Sequence, residues 1–126
     1  MAFTDSTIIS YKTASGVVSL SSIDESGSQR DNSPVTVPAS TSNYHAPRSV
    51  DVSQLISFLI YSSQNVTVKT NSSSSPAQTF TLVAGIGLTW NNANGQSNPL
   101  TTDITDLYVT NLGSVAAVMQ FSFLKP

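Results

Sequence analysis

The stretch Asp51-Val52-Ser53-Gln54-Leu55-Ile56-Ser57-Phe58-Leu59-Ile60-Tyr61 is the densest apolar segment of the chain. Strand side chains alternate between faces, so as a strand it sets Ile56, Phe58 and Ile60 on one side. Leu55, Leu59 and Tyr61 then lie on the other, with Ser57 the one break in that row. A strand apolar on both faces is normally central in its sheet and covered on both sides. Burial of one such side chain stabilises by roughly 1.5–3 kcal/mol, so this segment is expected to seed the core.

Downstream, Ser62-Ser63-Gln64-Asn65 reads as a short turn, and Val66-Thr67-Val68-Lys69-Thr70 alternates with Val66 and Val68 inward. The two segments together read as a β-hairpin whose second strand has one wet face. Asn71 to Pro76 reads as a loop, and Thr79-Phe80-Thr81-Leu82-Val83 as a strand with Phe80 and Leu82 inward. Ala84-Gly85-Ile86-Gly87 is expected to turn the chain as a hairpin, with glycine where φ is positive. Leu88-Thr89-Trp90 follows, then an Asn-rich loop from Asn91 to Pro99. Leu107-Tyr108-Val109-Thr110 and Val115–Leu124 form the last pair, joined at Asn111-Leu112-Gly113-Ser114. Val115, Ala117, Met119, Phe121 and Phe123 make the longest core-facing row.

Upstream, Thr7–Tyr11 and Gly16–Ile23 read as two strands joined near Thr13–Gly16. The polar run Asp24–Pro34 reads as a loop. Val35-Thr36-Val37 reads as a short strand closed by Pro38, and Ala39 to Pro47 as irregular chain. Residues 1–50 are expected to include a partly extended arm that packs on the core or reaches a neighbour. Asp51-Val52-Ser53-Gln54-Leu55 is echoed by Asp103-Ile104-Thr105-Asp106-Leu107, as two Asp- or Ser/Thr-capped turns each feeding a strand. About eight short strands with frequent turn signals point to a single all-β domain, 1–126, built as an antiparallel two-sheet β-sandwich of jelly-roll type. A closed barrel is the main alternative.

The chain has 126 residues and no cysteine, which excludes disulfides and thiolate metal sites. Charged residues make up 10% of it, against about 25% in an average domain. Ser, Thr and Asn supply the polarity instead. The net charge is −2, and Lys12, Arg30, Arg48, Lys69 and Lys125 are scattered. A phosphate-neutralising face needs clustered cations, so nucleic acid is not the expected partner. No apolar run approaches the roughly 20 residues that span a bilayer, and Met1-Ala2-Phe3-Thr4-Asp5 lacks the features of a signal peptide. The expectation is a product of a cytoplasm without membrane attachment.

No constellation specifies a reaction. His45 is the single histidine, and no Gly-x-Ser-x-Gly elbow is present. Asp24, Glu25 and Asp31, like Asp103 and Asp106, read as solvated or turn-forming carboxylates rather than as a hydrolase pair or a calcium site. Gly85-Ile86-Gly87 lacks the third glycine and the helix of a dinucleotide fingerprint. The chain is read as no enzyme, with no catalytic residue, cofactor or metal. The residues expected to touch a partner are Tyr44, His45 and Arg48 in the irregular stretch, and Trp90, Asn91 and Asn92. The last three combine an aromatic platform with amide donors and acceptors, the chemistry of a glycan-binding face.

The segment from Asp51 to Phe123 resembles a family of small proteins encoded beside capsid genes in tailed bacteriophages. The matching pieces are Asp51-Val52-Ser53, Val66-Thr67-Val68-Lys69-Thr70-Asn71, Ser75-Pro76, Leu82-Val83-Ala84-Gly85 and Leu88-Thr89-Trp90. Asn98-Pro99-Leu100-Thr101-Thr102-Asp103-Ile104-Thr105 and Leu107-Tyr108-Val109-Thr110-Asn111 complete them. The resemblance implies a virion component on the capsid surface, a head decoration or cement protein that binds and stabilises the major capsid protein lattice. It implies no catalytic residue, and by analogy a homo-oligomer, with a homotrimer favoured. The rival expectation is a tail, fibre or lectin-like module contacting host surface glycans through Trp90 and the loop beyond it.

Overall fold

In the computed structural model, residues 3–13, 16–27, 29–93 and 95–126 are described, as backbone alone at 3, 7–13, 16–26 and 30. The elements run β1 (Phe3–Thr13), β2 (Gly16–Gly27), β3 (Gln29–Val37), β4 (Thr41–Ala46), a 3-10 turn (Val52–Gln54), β5 (Ser57–Ser62) and β6 (Val66–Thr70). β7 (Thr79–Leu82), β8 (Leu88–Asn91), β9 (Leu107–Asn111) and β10 (Ala117–Lys125) complete them. One four-stranded sheet has the order β3-β10-β5-β8 and the other β4-β9-β6-β7. Every neighbouring pair is antiparallel. β1 and β2 form a third, two-stranded sheet of their own.

The two large sheets pack face to face because each strand turns one apolar row inward. From the first sheet come Val37, Phe58, Ile60, Ala117, Met119, Phe121 and Phe123; from the second come Ala46, Val66, Val68, Leu82, Leu107 and Val109. Phe58 and Phe123 stack with ring centroids 6.2 Å apart. Leu100 and Ile104 seal the core from the loop between β8 and β9. The fold is therefore an all-β, antiparallel two-sheet sandwich.

The winding of the chain differs from a series of hairpins. β5 and β6 lie in different sheets, as do β7 and β8, and β9 and β10. The turns at 63–65, 83–87 and 112–116 are thus crossings between sheets; among β3 to β10, β6 and β7 are the consecutive strands that pair directly. Local alternation fixes which face of a strand is buried but not which sheet it joins. The result is four nested pairings, β3 with β10, β4 with β9, β5 with β8 and β6 with β7.

Other expectations are revised in the first fifty residues. Within the polar run, residues 24–27 end β2 and residues 29–34 open β3, and residues 41–46 of the irregular stretch are β4. Both β3 and β4 are edge strands whose ladder bonds go to one partner, β10 and β9 respectively. An edge strand with a solvated face carries little apolar signature. Val115 leaves the core row: it is 56% exposed, whereas Ala117 to Phe123 alternate with their inward members buried. The strand around 51–61 begins at Ser57. Asp51 caps the preceding 3-10 turn, its Oδ1 accepting from the Ser53 N–H at 3.0 Å. Leu55, outside the strand alternation, is drawn into the core with Phe58.

The two echoed segments meet each other. Val50 and Ile104 exchange backbone bonds of 2.8 and 2.9 Å, and Asp103 Oδ1 accepts from the Val52 N–H at 3.0 Å. Asn71 ties the same loop from the second sheet. Its Nδ2 donates to the Asp103 carbonyl at 2.8 Å, and its Oδ1 accepts from the Thr105 N–H at 2.8 Å.

Candidate functional site

The six residues expected to touch a partner fall on two separate margins. β3 packs against β4 and β9, so β3 and β4 share one margin of the sandwich, while β8 edges the other. Tyr44 and His45 lie on β4; Trp90 and Asn91 lie on β8.

On the first margin Tyr44 is exposed. His45 stacks on Tyr108 with centroids 5.0 Å apart, and its Nε2 lies 2.7 Å from Asp106 Oδ1. The pair is well solvated, with side-chain exposures of 51% and 34%, so it orders β4 against the 103–106 loop at little energetic gain. Arg48 turns inward instead. Its Nη1 donates to the Pro47 carbonyl at 2.6 Å, its Nε is 4.0 Å from Asp31 Oδ2, and its guanidinium lies 5.5 Å from the centre of the Phe121 ring. It closes the gap between the sheets at this margin by a cation–π contact. Asp31 also accepts from the Ser33 hydroxyl at 3.1 Å. The side chains of Asp24 and Glu25 lie outside the described residues.

On the second margin Trp90 is partly buried, its ring 6.4 Å from that of Phe58 and its Nε1 donating to the Gln96 carbonyl at 2.9 Å. Asn91 is fully buried: its Oδ1 accepts from the Ala93 N–H at 2.9 Å, and its Nδ2 has no hydrogen-bond partner among the described residues. As a contact residue it is corrected to a buried turn-former, because a strand-end amide serves its own loop before it serves a ligand. Asn92 is exposed, and its N–H donates to the Ile56 carbonyl at 2.9 Å. A glycan platform needs a free ring face beside outward amides; here the indole N–H is already engaged and one amide faces inward.

A third surface was not read from the sequence. The crossings 38–40, 63–65, 83–87 and 112–116 gather at one end of the sandwich, where Ser40 N–H donates to the Gly113 carbonyl at 3.0 Å and Ala84 N–H to Asn65 Oδ1 at 2.8 Å. Asn111, fully buried, holds the turn beneath them, its Nδ2 donating to the Val115 carbonyl at 2.9 Å and its Oδ1 accepting from the Gly113 N–H at 3.1 Å. From this cross-tied base Val83, Ile86, Leu112 and Val115 project at 53%, 64%, 75% and 56% exposure. Leu112 also lines a hollow of about 310 Å³ with Gln64, Asn65, Ala84, Asn111 and Gly113. None of the four crossings contains a charged residue. That absence of charge from turn segments was the available signal; only the winding shows that the four turns converge. Large apolar side chains exposed together mark contact surfaces.

Comparison with known protein families, with curated proteins and with solved structures finds no match.

Proposed function

We propose that the chain is a jelly-roll component of a virus particle, a decoration or cement protein on the capsid surface that binds and stabilises the major capsid protein lattice. The observation that carries this reading is the winding: four nested antiparallel pairs distributed over two four-stranded sheets. Double-sheet jelly rolls with eight strands are the architecture of viral capsid and lectin domains. The resemblance of residues 51–123 to proteins encoded beside phage capsid genes favours the first of these. The uncharged end bearing Ile86 and Leu112 is the face we assign to the capsid, since contact cores are depleted in charge and rich in apolar area. Self-association, with three copies around a lattice axis, belongs to the same reading.

The glycan-binding reading draws less support, because Asn91 is buried and the Trp90 N–H is engaged within the fold.

The test is made on particles of the virus that encodes the chain. Quantitative mass spectrometry of purified particles is expected to count it at tens to hundreds of copies. Adding the purified protein to particles stripped of it is expected to raise their melting temperature. The variant Ile86→Lys with Leu112→Lys is expected to keep its own melting transition and lose particle binding. Absence from particles, or a count of a few copies, overturns the reading.

A further inference from the structure

A sandwich of two open sheets leaves an edge on each outer strand, and natural proteins guard such edges with proline, charge, bulges or covering chain. The outer strands here are β3 and β8 in the first sheet and β4 and β7 in the second. β3 carries Pro34 and the charged residues Arg30 and Asp31. β4 is broken by a register shift between Thr41 and Tyr44, with Asn43 at a φ of 53°. β8 is shut by its own chain: Asn91 is fully buried, and the loop beyond it folds back so that Trp90 Nε1 donates to the Gln96 carbonyl. The foot of the β1–β2 ribbon rests on the first sheet, where Asp5 accepts from the Ser57 hydroxyl and Gly27 lies against the Lys125 carbonyl.

β7, Thr79-Phe80-Thr81-Leu82, has none of these guards. It is uncharged, free of proline and in unbroken register with β6. Along an antiparallel ladder, hydrogen-bonded and non-hydrogen-bonded pairs alternate. The Thr70 N–H donates to the Gln78 carbonyl at 3.0 Å, and the next N–H, that of Asn71, donates the other way, to the Asp106 carbonyl at 2.8 Å. Gln78, Phe80 and Leu82 therefore turn their backbone groups to β6, while Thr79 and Thr81 turn theirs off the sheet. Among the described residues no strand or side chain takes these groups up. Both threonines are exposed, and Phe80 between them is half-buried at the margin of the core.

We propose that β7 is the docking edge for β7 of a second copy of this chain, antiparallel about a two-fold axis at Phe80. The occupant is a second copy because the edge is its own complement. With Phe80 opposite Phe80 of the second copy, Thr79 of each copy stands opposite Thr81 of the other, and every outward N–H meets an outward carbonyl. The Phe80 rings then form a non-hydrogen-bonded pair, the kind in which side chains approach most closely, and each covers the exposed part of the other. The threonines pair on the outer face. No like charges meet, since Lys69 of β6 shares its row with Thr79 and then with Thr81 and Thr67 of the second copy. The contact is narrow beside stable interfaces, so self-association is expected between about ten micromolar and about one millimolar. It is two-fold, makes no use of the capsid reading and stands whether or not that reading holds.

The test is made on the full-length chain in solution. Sedimentation is expected to show a monomer–dimer equilibrium across that range. Amide hydrogen exchange resolved by NMR is expected to slow several-fold at Thr79 and Thr81 as the concentration rises, and to stay constant along β3. Two variants read the register. Thr79→Glu with Thr81→Glu sets like charges opposite each other and is expected to weaken association by about tenfold or more. Thr79→Glu with Thr81→Lys sets opposite charges there and is expected to associate at least as tightly as the wild type. Both positions are exposed, so both variants are expected to keep the wild-type circular dichroism spectrum. A wild-type chain that is monomeric at about one millimolar, exchange that does not respond to concentration at Thr79 and Thr81, or two folded variants that associate alike, overturns the proposal.

Discussion

At the scale of single residues, the sandwich is held at one end by Asn71. Its φ of 71° lies in the left-handed region, which Asn tolerates better than other residues with a Cβ. From that backbone the side chain reaches the Asp103 carbonyl at 2.8 Å and receives the N–H and hydroxyl of Thr105 at 2.8 and 3.2 Å. Backbone and side chain thus both demand this residue. Asn71→Ala is expected to destabilise by about 2–4 kcal/mol, from lost hydrogen bonds and left-handed strain. Asn71→Gly removes the bonds but relieves the strain, and is expected to cost about 1 kcal/mol less. Denaturant melts of the two variants check the order; equal losses would show that the backbone conformation contributes nothing. The sequence carried half of this. Asp51 was readable as a turn cap from its own neighbours, since the bond it accepts comes from Ser53. The role of Asp103 was not, because the N–H it binds belongs to Val52, and no local pattern encodes a partner 51 residues away.

At the scale of elements, alternation told the faces and missed the edges. Phe58, Val66, Val68, Leu82, Phe121 and Phe123 are all where the period of two places them. β4, and β3 ahead of Val35-Thr36-Val37, escaped notice because an edge strand with polar outward residues is stabilised by ladder bonds that any residue except proline can make. Pro34 fits in β3 for the same reason, since that strand has β10 on one side and, among the described residues, no strand paired on the other. The contact residues were hardest to read: Tyr44 and Trp90 are both aromatic beside polar neighbours, yet one is exposed and the other packs on Phe58. Two element-level outcomes follow from the burial pattern. Phe58 is 3% exposed and stacked on Phe123, so Phe58→Ala is expected to cost about 3–5 kcal/mol in denaturant melts; a loss below about 1 kcal/mol would mean the inner face is not packed. Gly27 has no room for a Cβ, which would sit 2.3 Å from the Lys125 carbonyl oxygen. Gly27→Ala is therefore expected to lift the ribbon foot off the sheet. Hydrogen exchange should quicken at residues 3–5 and 25–27 and stay slow at 58–60 and 119–123.

At the scale of the whole molecule, the winding makes the two ends of the sandwich sequence interdependent. β10 lies between β3 and β5 and contributes Met119, Phe121, Phe123 and Leu124, each fully buried. Exposing four such side chains costs roughly 6–12 kcal/mol, comparable to the whole stability of a typical domain at about 5–15 kcal/mol. The last strand thus completes the fold rather than decorating it, and the chain cannot settle until residues 29–37 have found 117–125. Such long-range pairing places folding in the range of milliseconds to seconds. The ribbon is different in kind. Beyond its foot it adds no strand to either sheet among the described residues, and its removal leaves Ser57 without Asp5 and Ile56 without Gly27, a loss of roughly 1–3 kcal/mol. The two truncations should therefore part company. A chain lacking residues 1–27 is expected to melt cooperatively at a lower temperature with its β-sheet spectrum intact. A chain lacking residues 117–126 is expected to show no transition. Circular dichroism melts read both directly, and a cooperative transition in the second chain would mean that seven strands close the sandwich without β10, contrary to the nesting on which the fold depends.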